Sequence, residues 1–431
     1  MNELVVLLDA KRAGVVRYAN DRLSFSYDDA WRADPDAYPL SLSMPLALRD
    51  HDDLPIRAFI WNLLPDNDRT LDRWARQFHV SARNPFRLIA AVGEDCAGAV
   101  QFVMPERADV LIAEGPDSGD VAWIDEAEVA RRLRSVLDDA ASGRTAGDNG
   151  QFSLAGAQPK TALLFEDGRW GIPSGRIPTT HILKPPARAL PGHAENEHFC
   201  LNLARRMGLR AARSQVRGFE DQLAIVVTRY DRVRLPGESW VRLHQEDMCQ
   251  ALGVLPQKKY QNEGGPGPEA IVALLREQGS MAVDGGDMAD ADVDRFVDAL
   301  MFNWLIAGTD AHAKNYSLLI GGLGTVVLAP LYDIASAFGL ADIAPQKMKL
   351  AMKINDYPVA RVLPHHWQEW SERVGLESWE VLNRLFAMAE SLPAAIDRVA
   401  AEMRGEGLDH PVIDRLATIL TDRAKRIAAM G

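Results

Sequence analysis

Apolar positions in the first part of the chain come in short blocks. Leu4–Leu8, Val15–Tyr18 and Leu23–Tyr27 predict strands, with a turn over Lys11–Gly14. A helical stretch follows over Pro55–Phe78, then a closing strand at Val100–Met104, then a Gly/Asp/Pro-containing connector at Asp109–Asp125. Two further strands are predicted at Thr161–Phe165 and Thr180–Lys184, the second stopped by Pro185 and Pro186, which cannot continue a ladder. From Ala194 the spacing turns helical, with Phe199, Leu203 and Met207 on one face and Gly208 as the stop. Helices then dominate: Glu246–Gly253, Pro268–Gln278, Asp290–Ile306, Trp379–Ala389, Pro393–Arg404 and Asp414–Met430. Strands at Ser317–Ile320 and Val326–Ala329 interrupt them, and the acidic stretch Met281–Asp292 reads as a flexible loop. The pattern is that of an α+β protein in three regions: a β-rich N-terminal part (1–107), a mixed part (108–231) and a mostly helical part (232–431). No internal repeat is visible.

Composition narrows the class. Of the 431 residues, 47% are hydrophobic, enough for a real core, yet no apolar run approaches the ~18–20 residues of a membrane span. The start Met-Asn-Glu carries an early acid and no basic lead, which predicts no secretory signal. Three widely spaced cysteines, Cys96, Cys200 and Cys249, suit neither a disulfide framework nor a zinc pattern, so a cytoplasmic protein is expected. Against 48 basic residues stand 60 acidic ones, a net charge of −12. Phosphate neutralisation dominates nucleic-acid affinity, so the chain is not expected to bind DNA by itself.

The chemistry concentrates in Gly308-Thr-Asp310-Ala-His312-Ala-Lys314-Asn315, followed by Pro330-Leu-Tyr332-Asp333. An Asp, an Asn five positions on and a later Asp are the types and order that a phosphoryl-transfer site uses for base and metal ligands. Each residue alone has an ordinary reading, since Asp and Asn commonly cap or turn a chain. The apolar frame around them shifts the balance: Phe302, Trp304, Leu305 and Ile306 before, and Ser317–Ile320 after. Lys184 ends a strand as a phosphate-binding Lys would. Glu197, at the start of the next helix, is its candidate ion-pair partner, with Glu195 second. A solvated Lys and an acid on the helix dipole are the plain alternative. The small-residue turn Ser153-Leu-Ala155-Gly156-Ala157-Gln158-Pro159-Lys160 lets backbone N–H groups approach phosphate, although it fits no standard phosphate-loop spacing.

Taken together, these strings resemble the signatures of the HipA family of bacterial toxin kinases, which phosphorylate Ser/Thr. Leu40–Leu46, Asn62-Leu-Leu-Pro-Asp66, Gln245–Gln250, Lys259–Gly267 and Leu331–Phe338 carry the same resemblance, so it spans nearly the whole chain. It implies a two-lobed protein-kinase-like fold with an N-terminal β-containing subdomain, the small lobe ending near Asp231. It implies ATP and Mg²⁺ as cofactors. Ala155, Gly156, Ala157, Gln158 and Lys160 would form the nucleotide loop, and Lys184 would meet the phosphates. Thr228, Arg229 and Tyr230 would be the adenine hinge, Asp310 the catalytic base, and Asn315 and Asp333 the metal ligands. His312, Lys314 and Tyr332 would lie beside the nucleotide. Ser153 corresponds to a serine that such kinases phosphorylate on themselves, ejecting the loop. A HipB-like DNA-binding antitoxin is the implied partner, with DNA reached only through it, and an aminoacyl-tRNA synthetase the implied substrate.

Departures from the family pattern are Pro159, Ala311 and the hinge string Thr228-Arg229-Tyr230. Pro159 lacks an N–H for the loop, and Ala311 stands where positive φ would be costly. Two other readings of the same residues are a kinase-fold enzyme acting on a small molecule and an idle, antitoxin-binding corepressor.

Overall fold

The computed structural model describes residues 2–114, 118–138, 153, 155, 156, 158–186, 190–234, 237–278, 288–340 and 345–431. The chain forms two compact units. The first comprises Met1–Ala187, Arg217–Lys258 and Leu318–Val326; the second comprises Arg188–Val216, Lys259–Ser317 and Val327–Gly431.

In the first unit an antiparallel sheet of five strands runs in the order Asp50–His51, Arg22–Tyr27, Lys11–Ala19, Glu3–Leu8, Gln101–Val103. Val5 lies between Val15 and Val103. The first reversal sits at Asp9 and Ala10, with φ of 49° and 58°, not at Lys11–Gly14, which belong to a strand. Two successive left-handed residues twist a hairpin the way its strands already twist. Gly14 is needed for packing instead, because a Cβ there would collide with the Ser26 carbonyl and the Phe25 ring.

The predicted helix Pro55–Phe78 is two helices, Asp53–Leu63 and Asp68–Gln77. Pro65 forces Leu64 into extended backbone, at φ −83° and ψ 158°, and so ends the first. The expected connector at 109–125 holds structure: the helix Pro105–Ala113 buries Ala108 and Leu111 on Val5, Leu7 and Val103. Val121–Ile124 is the edge strand of a second sheet.

That second sheet has six strands in the order Ser214–Phe219, Gln222–Thr228, His181–Lys184, Thr161–Glu166, Arg169–Pro173, Val121–Ile124. Helix Glu126–Asp138 covers it, setting Val129, Ala130 and Leu133 against Leu163, Trp170, Leu183 and Val226. Between Gln222–Thr228 and the Lys184 strand, Ile225 pairs with Lys184 and Thr228 with His181. Where a helix Glu246–Gly253 was expected, a strand (His244–Asp247) leads into one short turn, Met248–Ala251. A capping box between Asp247 and Gln250 fixes that change of direction.

Helices build the second unit: His193–Arg206, Pro268–Gln278, Met288–Ile306, Pro364–Arg373, Ser378–Gly405 and Val412–Ala428. The first begins at His193, so Glu195 is the acid of its first turn and Glu197 opens the second. Two predicted helices over 379–404 are one, with Pro393 inside it. A proline there costs about 3 kcal/mol. Leu385, Ala389 and Leu392 on one side of it and Ile396, Val399 and Met403 on the other are all buried. Each Leu, Ile, Val or Met among them contributes roughly 1.5–3 kcal/mol, so one continuous apolar stripe outweighs the break. The helix Met288–Ile306 starts before Asp290, so 288–292, expected in the acidic loop, are helical; residues 279–287 lie outside the described residues. Among the described residues no helix is long and apolar enough to cross a membrane.

Candidate active site

The segment bearing Asp310 is positioned by the end of a buried helix. Phe302, Trp304, Leu305 and Ile306 are all buried. The helix then stops at Ala307, which is left-handed (φ 54°) while Gly308 N–H returns to the Asn303 carbonyl at 2.7 Å. A side chain at Gly308 would collide with Asn303 Oδ1. Close approach to Asn303, not backbone conformation, is what favours a glycine at 308. The Ser336 hydroxyl donates to Ile306 O at 2.5 Å, and Asn196 grips Ser336 through both its amide and its carbonyl, at 3.0 and 2.8 Å. The segment after Asp333 is thereby fixed to the helix end before Asp310.

Within the loop, Asp310 is exposed whereas His312, Lys314 and Asn315 are buried. The Asp310 carbonyl accepts from His312 N–H at 2.7 Å and from Asn315 Nδ2 at 2.9 Å. Those two bonds close the five-residue spacing into one tight turn, finished by the 3-10 helix Ala313–Asn315. Because Asn315 spends its amide nitrogen on Asp310, Oδ1 is the end left to meet a cation. The Tyr260 hydroxyl donates to Asp310 Oδ1 at 2.7 Å, and its ring meets His312 edge-on at 4.9 Å. Tyr260 holds the carboxylate in place; the sequence contained it in the string Lys259–Gly267 without marking this role. Ala311 does not adopt positive φ, so its side chain brings no backbone strain.

Asp333 is tied to the same loop through its neighbour. The Tyr332 hydroxyl donates to Lys314 O at 2.7 Å and shares a 2.6 Å hydrogen bond with Ser317 Oγ. Asp333 itself is left-handed at φ 57°, a conformation Asp tolerates better than most residues and one that recurs at functional positions. Burial pushes His312 down to about 4, against the pull of Asp310 and then of Asp333. His312 therefore stands as a neutral imidazole.

Hard cations such as Mg²⁺ take oxygen ligands, commonly one or two carboxylates completed by phosphate and water. The Asp333 carboxylate and Asn315 Oδ1 fit that set. Among the described residues no group of three or more His, Cys, Asp or Glu could hold a metal by itself.

In the first unit, the small-residue turn lies against Asn62–Asp66. Ser153 is fully buried, its hydroxyl donating to Leu63 O at 2.8 Å and its N–H to Asp95 O at 2.9 Å. Gly156 bridges to Pro65 with φ 104°. The Lys160 ammonium folds back to the Ala155 carbonyl at 2.6 Å, where a Cβ on Gly156 would stand 2.5 Å from it. Gln158 Nε2 is buried without a hydrogen-bond partner. Ala157 lies outside the described residues. Lys184 ends its strand buried, and Glu197 and Glu195 are buried in their helix in the second unit.

The hinge residues divide their tasks. Thr228 completes the strand, and Arg229 N–H donates to Thr180 O at 2.9 Å. The Arg229 side chain is buried against Asp231 at 2.8 Å and Thr179 at 2.9 Å, a structural role that the expected cofactor contact did not foresee. The Tyr230 hydroxyl bonds Gln245.

Residues 4–103 match the HipA N-terminal domain family and residues 152–403 the HipA-like C-terminal domain family. The Y4mE protein of Sinorhizobium fredii is 34% identical over 420 residues, covering 96% of each chain. The serine/threonine-protein kinase toxin HipA of Shewanella oneidensis is 31% identical over 390 residues, 88% of this chain and 84% of that one. Among solved structures, a chain of the Shewanella oneidensis HipA, HipB and operator DNA complex superposes with a TM-score of 0.82 at 25% identity, covering 99% of this chain and 97% of that one. Two domain matches in the family's order, relatives aligned nearly end to end and the shared α+β fold lead to one conclusion: this chain belongs to the HipA family.

Proposed function

We propose that the chain is an ATP-dependent serine/threonine protein kinase and the toxin of a toxin–antitoxin pair. The observation that carries this reading is the hydrogen bonding in the second unit: Asn315 is bonded to the Asp310 carbonyl, and Tyr332, next to Asp333, is bonded to the Lys314 carbonyl of the same loop. Asp310 accepts the hydrogen of a substrate hydroxyl while that oxygen bonds the γ-phosphorus of ATP and the bond to the ADP oxygen breaks. Tyr260 keeps the carboxylate aimed. Asn315 and Asp333 would hold Mg²⁺, which neutralises phosphate charge during transfer. Lys184 would serve the phosphates and pair with Glu197, and the Ala155–Lys160 turn would cover them. At the hinge, the backbone of Thr228 and Tyr230 would meet the adenine, Arg229 serving from behind.

Ser153 would be the self-regulating site. Its hydroxyl is buried and donates to a carbonyl, so a phosphate dianion could not occupy the same place and the turn would have to leave. The substrate is proposed to be an aminoacyl-tRNA synthetase, whose modification would stall translation. A HipB-like antitoxin is proposed as the partner, since the Shewanella relative was solved with HipB and operator DNA, and the −12 charge of this chain opposes direct DNA contact.

The test is phosphoproteomics after brief expression without an antitoxin, comparing the parent chain with Asp310→Asn. A synthetase serine and Ser153 should gain phosphate with the parent alone. Identical phosphoproteomes would remove the assignment. Ser153→Ala should stay active longer than the parent; superimposable time courses would reject the switch.

A further inference from the structure

A cluster of buried charges in the first unit borders a cavity that the kinase reading does not use. Asp95 accepts from Arg232 at 2.9 Å and from Arg242 at 3.5 Å. Asp231 accepts from Arg229 at 2.8 Å, from Arg232 at 2.9 Å and from Gly98 N–H at 2.8 Å. These five side chains are at most 10% exposed, and three guanidiniums face two carboxylates. Within the cluster one positive charge is left over, and an uncompensated buried ion is costly.

The excess has an outlet. Arg242 forms part of the wall of a cavity of about 490 Å³, which Asp9, Gln101, Arg176 and Trp240 also line. Arg242 Nε and Trp240 Nε1 are buried donors without a hydrogen-bond partner. The carboxylates at this wall are Asp9 and Glu238. Asp9 accepts from the Tyr38 hydroxyl at 2.6 Å; burial raises its pKa while Tyr38, Lys11, Arg176 and Arg242 pull it down, so this one carboxylate is shared among three cations. Glu238 is exposed and screened by water. The volume falls within the roughly 300–1,000 Å³ of small-molecule sites, far more than a single ion needs.

We propose that this cavity binds a small organic anion, its carboxylate or phosphate facing Arg242 and Arg176 and accepting the Trp240 N–H. The ligand supplies the charge that the Asp95–Asp231 cluster lacks. None of the residues that line the cavity is among those assigned to nucleotide binding or phosphoryl transfer.

Titration calorimetry on the full chain, saturated with a non-hydrolysable ATP analogue, tests this. The probes are phenyl phosphate and benzoate, with inorganic phosphate as the control that has no organic body. One of the two organic anions should bind saturably at one site and more tightly than inorganic phosphate, and which one does so separates phosphate from carboxylate recognition. Arg242→Gln should weaken that binding at least tenfold, and Arg176→Gln and Trp240→Phe at least threefold each. If Arg242→Gln does not fold, the other two variants decide. Absence of saturable binding, binding equal to that of inorganic phosphate, or unchanged affinity in Arg176→Gln and Trp240→Phe each overturns the proposal.

Discussion

Tyr260 restrains Asp310 through a single hydrogen bond of 2.7 Å, and the hydroxyl has no other assigned task at the reacting oxygen. Tyr260→Phe keeps the ring against His312 and removes the bond to Asp310. A hydrogen bond to a charged group contributes about 1.5–3 kcal/mol, and each ~1.4 kcal/mol is tenfold in rate. The variant should therefore lose at least about tenfold in kcat, with KM for ATP little changed. Steady-state kinetics with a peptide substrate read this, and a parent-like kcat would remove Tyr260 from the machinery. Glu246 offers a test on stability. Burial pushes its carboxyl up to about 8, while Leu42 N–H at 2.8 Å pulls the other way, and Oε2 has no hydrogen-bond partner. The folded state thus holds a proton that the unfolded state has released above its ordinary value of 4.5. Stability is full below that value and is lost as pH rises through about 8. Glu246→Gln keeps the acceptor for Leu42 and removes the titration. It should gain stability over the parent at pH 9 and little at pH 4, as urea midpoints at both values would show.

The turn 153–160 is the element on which sequence and structure divide most clearly. Its small residues and Lys160 read as a phosphate cradle. That Ser153 is locked onto Leu63, and that Lys160 returns to Ala155 across Gly156, were not, because both depend on where Asn62–Asp66 runs. Gly156→Ala should weaken ATP binding by about tenfold or more while the fold survives, since φ 104° and the Lys160 ammonium both oppose a Cβ. Nucleotide titration checks it, and unchanged affinity would show that the turn rearranges freely. Other elements were misread for related reasons. Pro65 breaks a helix as local rules require, but Pro393 does not, because buried residues continue on both sides of it. Gly14 read as a turn residue and is a packing residue instead.

At the scale of the molecule, the first unit joins the N-terminal sheet to the strands that carry Lys184 and the hinge. The Asp95, Arg229, Asp231 and Arg232 network draws on segments more than a hundred positions apart, with Gly98 N–H and the Cys96 carbonyl as further members. Arginines beside Asp231 hold its carboxyl below the usual range despite burial. Asp231→Asn leaves two guanidiniums short of a counterion, and breaking such a pair typically costs ~3–5 kcal/mol. Urea unfolding should show a loss of that order, concentrated in the first unit; a loss below about 0.5 kcal/mol would mean that water compensates the arginines. This network was invisible in the sequence. Asp231 read as the end of the small lobe, and Asp95 carried no signal.

What the chain alone determined is the set of chemical groups and their short spacings: Asp310 to Asn315 within one turn, Lys184 at a strand end, the helix ending at Ile306. Residues a few positions apart are placed by local geometry, so their types and intervals suffice. Only tertiary packing decided which distant residues meet: Tyr260 with Asp310, Tyr332 with Lys314, Ser153 with Leu63, Asp95 with three arginines. Burial of shared apolar surface sets those meetings, and no local propensity encodes them.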